Sequence, residues 1–247
     1  MSFDPKSLPR GRVLSAAFEQ GRFDGKPVAA TAGPTCCSGS RATVSVTAQA
    51  GSASLFSVER AYSTVKKLRA KGLDARRGLS VEARTTASKI ICERVIASRE
   101  FYSCRTIACY LPMPDEVDTL EIIERAWCAN KRVFVPILRK RRNMSFCRLT
   151  PDTTLVRSDF GIWEPVDSEE ISPRRLDLVV TPTVAFDENR NRIGMGGGYY
   201  DRCFAFLRNR QQWLRPKLAG IAFASQKVEK ITPNPWDIRL YRIFTDA

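Results

Sequence analysis

The sequence contains no histidine. Ser/His and Cys/His nucleophile pairs are therefore excluded, and proton transfer falls to Asp, Glu, Lys, Tyr or the substrate itself. There is no Cys-x-x-Cys pair among the eight cysteines, which are Cys36, Cys37, Cys92, Cys104, Cys109, Cys128, Cys147 and Cys203. A zinc site would need thiolates, or thiolates with carboxylates, at irregular spacing. Most of these cysteines lie in apolar runs such as Thr106-Ile107-Ala108-Cys109-Tyr110, where a small buried side chain is expected. Reduced thiols and a cytoplasmic setting follow as the expectation. No apolar run approaches the roughly 20 residues that cross a bilayer, so no membrane partner is expected. The absence of Gly-Lys-Ser/Thr excludes a P-loop.

What is present is a basic, moderately apolar chain. Its 247 residues are 43% hydrophobic, which is enough for one sizeable core with a tail. Forty Lys and Arg against 26 Asp and Glu leave a formal charge of +14. Such a charge favours phosphorylated cofactors, polyanionic substrates or nucleic acid, without choosing among them.

Residues 1–60 differ from the rest. Between Lys26 and Ser57 the chain is mostly Ala, Ser, Thr, Gly and Val, broken by Cys36-Cys37 and Gly33-Pro34. It has too few large apolar side chains to offset the entropy of ordering, and reads as a disordered low-complexity extension. A targeting peptide is the rival reading, opposed by Asp4, Glu19 and Asp24. From residue 61 onward helix and strand patterns alternate. Ser80 is suited to cap a helix with Ala83, Ala87, Ile90, Ile91 and Val95 at helical spacing. Thr106–Leu111 reads as a buried strand, and Thr119 as the cap of a helix presenting Ile122, Ile123, Ala126 and Trp127. Arg132–Leu138 and Met144–Leu149 read as a hairpin across Arg139–Asn143. Leu176–Val180 and Leu218–Phe223 are further strands, with a helix from about Gly198 to Arg208 between them. The expected fold is a single three-layer α/β domain over 61–247, its largely parallel central sheet flanked by helices.

The chemistry concentrates in Thr181–Arg202, where a strand, a polar turn and Ile193-Gly194-Met195-Gly196-Gly197-Gly198-Tyr199-Tyr200-Asp201-Arg202 follow one another. Glycines let backbone N–H groups crowd around a phosphate, and a helix N-terminus adds partial positive charge. Arg192 can pair with phosphate oxygens, and Asp201 can hold a magnesium ion against them. Tyr199 stands where a dinucleotide fingerprint starting at Gly194 would need its third glycine.

Residues 182–202 resemble the signature of the 5-formyltetrahydrofolate cyclo-ligase family, especially its bacterial members. The likeness extends over about residues 66–246. It includes Lys66-Lys67-Leu68-Arg69, the segment Tyr110–Thr119, Gly161-Ile162-Trp163-Glu164-Pro165 and Pro235-Trp236-Asp237-Ile238. The resemblance implies that Arg192 and the backbone of Gly194, Met195, Gly196, Gly197 and Gly198 hold the phosphates of ATP, with Arg69 as a further ATP contact. Tyr199 and Tyr200 would lie where the phosphates meet the folate formyl group, with Tyr200 and Arg192 as catalytic candidates. Asp201 and Asp237 would bind Mg2+. Leu111 and Glu116 match folate-contacting positions, Glu116 being suited to accept from pterin N–H groups, and Phe160 falls near a position that stacks on the folate ring system. Residue-level alternatives stay open: Asp237 as the cap of a turn, Glu116 and Asp118 as solvated loop acids, Phe160 and Trp163 as core, and Tyr200 as packed behind the loop rather than facing the substrate. The chain departs from the family at Val65, where a basic residue is usual, so that either Lys66 substitutes with a small register shift or nucleotide affinity is weakened, and at Arg239, where bacterial relatives often carry proline.

The implied reaction is ATP-dependent closure of 5-formyltetrahydrofolate to 5,10-methenyltetrahydrofolate, releasing ADP and phosphate, by a monomer. The Arg139–Arg142 cluster is a candidate to attract the polyglutamate tail of cellular folates, or is a solvated turn. The rival classes are a basic nucleic-acid-binding protein, which would lack a recognisable binding module, and a relative that binds nucleotide without turnover.

Overall fold

The computed structural model describes residues 52–158, 161–166, 168–208 and 215–247, with side chains from 63 onward except 141. Helix α1 (Ser52–Arg77) opens it. The expected low-complexity stretch, 1–60, lies outside the described residues up to 51, and its last residues are helical backbone. A compact unit runs Tyr62–Ala247. Within it, α1 lays Val65 and Leu68 against Ala185, Ile193, Val228 and Ile231. One turn on, the helix comes so close to the neighbouring backbone that a Cβ on Gly72 would lie 2.2 Å from the Val184 carbonyl oxygen. Only glycine permits that approach.

Ser80 caps α2 (Val81–Ile96) as expected, accepting from the Ala83 N–H at 3.1 Å. Ala87, Ile91 and Val95 are buried, while Ala83 is exposed. Helix α3 (Arg99–Ser103) follows. Helix α4 (Leu120–Cys128) has Thr119 at its N-cap, but that hydroxyl instead donates to the Tyr110 carbonyl at 2.6 Å. Asp118 takes the capping bond, accepting from the Leu120 N–H at 3.0 Å. Buried Thr119 is better used in tying the preceding loop to the strand below it.

Seven strands form the central sheet in the order β11-β10-β7-β1-β2-β3-β6. Five run parallel: β1 (Thr106–Ala108), β2 (Arg132–Arg139), β7 (Leu178–Pro182), β10 (Lys217–Ile221) and β11 (Arg242–Phe244). β3 (Asn143–Leu149) returns antiparallel to β2, as the hairpin reading required, and β6 (Glu170–Ile171) closes that edge. Two small hairpins stand apart: β4 (Leu155–Arg157) with β5 (Trp163–Pro165), and β8 (Ala185–Phe186) with β9 (Arg192–Ile193). The largely parallel sheet flanked by helices matches the expected class. Its apolar strands are buried on both faces, as parallel sheets require: Ile107, Ala108, Val179, Val180, Leu218 and Ala219 are at most 2% exposed.

The helix expected over 198–208 is shorter. α5 spans Tyr199–Cys203, and a 3₁₀ turn over Ala205–Leu207 replaces the rest. Phe204 sits at the break, fully buried and packed on Phe146 and Tyr200, so burial of one ring fixes where the helix stops.

Candidate active site

The site lies beyond the carboxyl ends of β1, β7 and β10, the edge at which open parallel sheets take ligands. The β8–β9 hairpin aims its first component. Asp187, 1% exposed, accepts from the Asn191 N–H at 3.0 Å, the Asn191 side chain at 3.0 Å and the Ile231 N–H at 2.9 Å. The carboxylate thereby closes the hairpin turn and fixes the start of β9. Arg239 donates to the Asn189 carbonyl at 2.6 Å and ties the C-terminal loop to the same turn.

Arg192 leaves β9 with its side chain 5% exposed. Its Nη2 donates to Asp201 Oδ1 at 2.9 Å, its guanidinium lies 5.4 Å from the Tyr200 ring centre, and its buried Nε has no hydrogen-bond partner among the described residues. A buried guanidinium with a free N–H is a ready anion donor. The glycine loop turns between these residues, with Gly196 at φ +98° and Gly198 at φ +64°. Met195, Gly196 and Gly197 offer backbone N–H groups that no described residue accepts. Arg69 from α1 donates to the Gly194 carbonyl at 2.8 Å and lies close beside Gly196. Arg202 holds the far side, donating to the Gly197 carbonyl and, at 3.3 Å, to the Arg142 carbonyl of the β2–β3 turn. α5 has only five residues, so its dipole is small beside these guanidinium groups and loop N–H groups.

Among the described residues no three Cys, Asp or Glu side chains gather as metal ligands, so Asp201 and Asp237 are the pair a cation would meet here. Asp201 Oδ1 also accepts from the Ile238 N–H at 3.1 Å, which places Asp201 against the peptide that follows Asp237. Asp237 Oδ2 accepts from the Asn234 N–H at 2.8 Å and its side chain at 3.1 Å, so it does cap a turn. Each carboxylate keeps a second oxygen with no donor among the described residues. Two such oxygens with phosphate and water would suit magnesium, which seldom uses an all-protein cage.

On the other side of Tyr200 the β1–α4 loop carries Glu116. Tyr200 packs against the core cluster that includes Ala108 at the end of β1, the strand from which the Glu116 loop departs. Enclosure pushes the Tyr200 hydroxyl pKa up and outweighs Arg192, which pulls it down. Burial also raises the Glu116 carboxyl, against the lowering effect of the Met113 N–H and of Arg76. A shallow cleft lies there, lined by Arg76, Tyr110, Glu116, Thr183, Ile221 and Gln226. As it stands it has no room for even a water molecule, so a folate must lie outside it or open it.

The remaining predicted residues are distributed around this centre. Leu111 is buried beside the cleft's loop. Tyr199 is half-buried, with the Arg202 guanidinium 6.0 Å from its ring centre. Met195 is exposed at the loop tip. Lys66 is exposed with no hydrogen-bond or ion-pair partner among the described residues, whereas Val65 faces the apolar seam under the β8–β9 hairpin. Phe160 lies outside the described residues. Two site residues escaped the sequence reading. Arg76, 4% exposed, donates to Asp115 and Glu116. Gln226, 1% exposed, donates to the Thr183 and Val184 carbonyls at 2.9 and 2.7 Å and fixes the cleft floor. Neither residue has a local sequence signal.

The model of the 5-formyltetrahydrofolate cyclo-ligase family matches residues 62–246. The chain is 36% identical over 176 residues to 5-formyltetrahydrofolate cyclo-ligase of Escherichia coli, covering 70% of this chain and 94% of that protein. It is 34% identical over 163 residues to the Haemophilus influenzae protein of the same name, covering 64% and 84%. The solved structure of Aquifex aeolicus 5,10-methenyltetrahydrofolate synthetase superposes with a TM-score of 0.63 at 30% identity, covering 74% of this chain and 89% of that one. On this sequence match and this fold, the chain belongs to the 5-formyltetrahydrofolate cyclo-ligase family.

Proposed function

We propose that this chain converts 5-formyltetrahydrofolate to 5,10-methenyltetrahydrofolate, consuming ATP and releasing ADP and phosphate. The observation that carries the reading is the glycine loop, whose unclaimed N–H groups lie between Arg69 and Arg192 beside a carboxylate. Family membership supplies the reaction class.

The chemistry suits a site without histidine. An amide-like formyl oxygen is a poor leaving group. Its attack on the γ-phosphorus of ATP, with ADP departing, makes it a phosphate ester. The neighbouring N10 then bonds to the formyl carbon, the carbon–oxygen bond breaks, phosphate leaves with that oxygen, and N10 releases its proton. The protein's part is positioning and charge neutralisation. Arg69, Arg192 and the loop N–H groups hold phosphate oxygens. Tyr199 and Tyr200 separate the phosphate side from the folate side. The high-pKa Tyr200 hydroxyl stays protonated and serves as a donor there. Glu116 accepts from the pterin N–H groups, and Leu111 packs beside it. Asp201 and Asp237 hold Mg2+, which when bound neutralises phosphate charge.

The turn bearing Lys140 and Arg142 is exposed, and Arg202 joins it to the glycine loop. It is placed to meet an anionic folate tail, whereas Arg139 is already paired with Glu170. The protein works as a cytoplasmic monomer. Among the described residues no helix is long and apolar enough to cross a membrane. Labelling the formyl oxygen with oxygen-18 tests the mechanism. The label is expected in the released phosphate; label appearing in water would contradict it.

A further inference from the structure

Helix α1 presents one face to both halves of the site. Arg69 holds the glycine loop and Gly72 touches the Val184 backbone. Two turns after Arg69, on the same face, Arg76 reaches the β1–α4 loop. Arg76 is the more deeply buried of the two arginines that end the helix. Its side chain is 5% exposed, against 63% for Arg77. Its Nε and Nη2 donate to Asp115 Oδ2 at 3.1 and 2.8 Å, and its Nη1 donates to Glu116 Oε1 at 3.5 Å. The other Glu116 oxygen accepts from the Met113 N–H at 3.2 Å. The carboxylate is therefore fixed at both ends while it lines the cleft. A carboxylate has about four lone-pair sites, so about two remain for a ligand.

We propose that Arg76 is the positioning residue of the folate half: it orients Glu116 and keeps it ionised as the acceptor for pterin N–H groups, without acting on the nucleotide. This rests on the reading of Glu116 as the folate acceptor. Glu116 is 12% exposed, and burial of that order disfavours a carboxylate unless a counter-charge stands beside it. The groups facing it are Arg76 from α1, Asp115 from its own loop, Tyr110 from the end of β1 and Tyr200 from α5. Of these only Arg76 is cationic, and Arg77 reaches Asp115 alone, at 3.7 Å. Asp115 in turn anchors the guanidinium and leaves its Nη1 directed at Glu116.

Burial raises the Glu116 pKa and Arg76 lowers it. Folate affinity is present above that pKa and lost as pH falls through it. Removing Arg76 moves the loss to higher pH.

The test is equilibrium binding of 5-formyltetrahydrofolate, and separately of ATP with magnesium, to the full chain between about pH 5 and pH 8. Arg76→Met is expected to weaken folate binding about tenfold or more at neutral pH and to move its acid limb up by about one pH unit or more. ATP affinity should stay within about twofold. Arg76→Lys should recover part of the affinity, since it keeps the charge but not the fork, and Arg77→Met should change nothing. If Arg76→Met does not fold, Arg76→Met with Asp115→Asn removes the stranded carboxylate, and the same limb shift is expected. Glu116→Gln separates the two readings. It should weaken folate binding and abolish the limb; if it does neither, the assignment of Glu116 fails. If Glu116→Gln behaves so but the Arg76 variants leave the limb in place, or weaken folate and ATP equally, Arg76 is a structural residue and the inference is overturned.

Discussion

Arg192 donates to Asp201 Oδ1 at 2.9 Å, and the Ile238 N–H donates to the same oxygen. In the free chain one oxygen of the proposed metal-binding carboxylate is thus occupied, and a buried positive charge stands beside it. A cation arriving alone meets that charge, whereas one arriving with ATP brings phosphates that can take the guanidinium. Mn2+ should therefore bind far more weakly to the free protein than to its complex with a non-hydrolysable ATP analogue, as read by water-proton relaxation. Equal affinity in both states would contradict this.

Arg192→Lys tests the same pair from the other side. Lysine keeps the charge but loses the planar fork that spans Asp201 and leaves Nε free. We expect kcat/KM to fall about 100-fold or more, a loss of roughly 2.7 kcal/mol of transition-state stabilisation. A folded Arg192→Lys variant whose steady-state rate stays near that of the wild type would refute the assigned role.

Gly196→Ala should damage the nucleotide side selectively. The residue sits at φ +98°, and an added Cβ would lie 3.4 Å from the Arg69 guanidinium carbon. Strain of about 1–3 kcal/mol is expected in a loop that has to keep its N–H groups aligned. Calorimetric titration should show ATP binding weakened about tenfold and folate binding unchanged.

Gly72→Ala should cost stability. The new methyl would meet the Val184 carbonyl at 2.2 Å, too close for any rotamer to relieve, and overpacking of this kind costs about 1–3 kcal/mol. A lowered urea midpoint with an unchanged slope is the expected result.

Acid should weaken the fold partly through Asp177. Burial works against its charge, but the Thr106 and Arg105 N–H groups, the Thr106 side chain and Arg215 outweigh it and hold the carboxyl below the ordinary 3.8. A depressed folded-state value contributes stability above the unfolded value, and that contribution is lost as pH falls through the folded one. Wild-type stability should therefore decline more steeply with acid below about pH 4 than that of Asp177→Asn, as measured by urea unfolding at several pH values.

The tight turn between Arg192 and Asp201 was legible because Gly196 and Gly198 take φ +98° and +64°, a conformation that residues with a side chain rarely adopt. The strands were legible because a parallel sheet buries both faces and needs unbroken apolar runs. Arg76 was not, since an Arg-Arg pair at a helix end reads as solvated; its burial comes from a loop 40 residues away folding over it. Helix phase explains Val65 in the same way. It lies in the seam with Leu68, so apolarity there says nothing against nucleotide binding. The short α5 escaped detection because Phe204 ends it through tertiary burial, which no local pattern announces.

The central claim is ATP-dependent folate cyclisation at the glycine loop. The most direct measurement is the absorbance of the methenyl product, followed with purified protein, 5-formyltetrahydrofolate and magnesium, with and without ATP. The account predicts growth of that band only with ATP, with one ADP formed per methenyl group, and its loss in Asp201→Asn while folate still binds. A folded wild-type protein that forms no methenyl product, or forms it at the same rate without ATP, would contradict it.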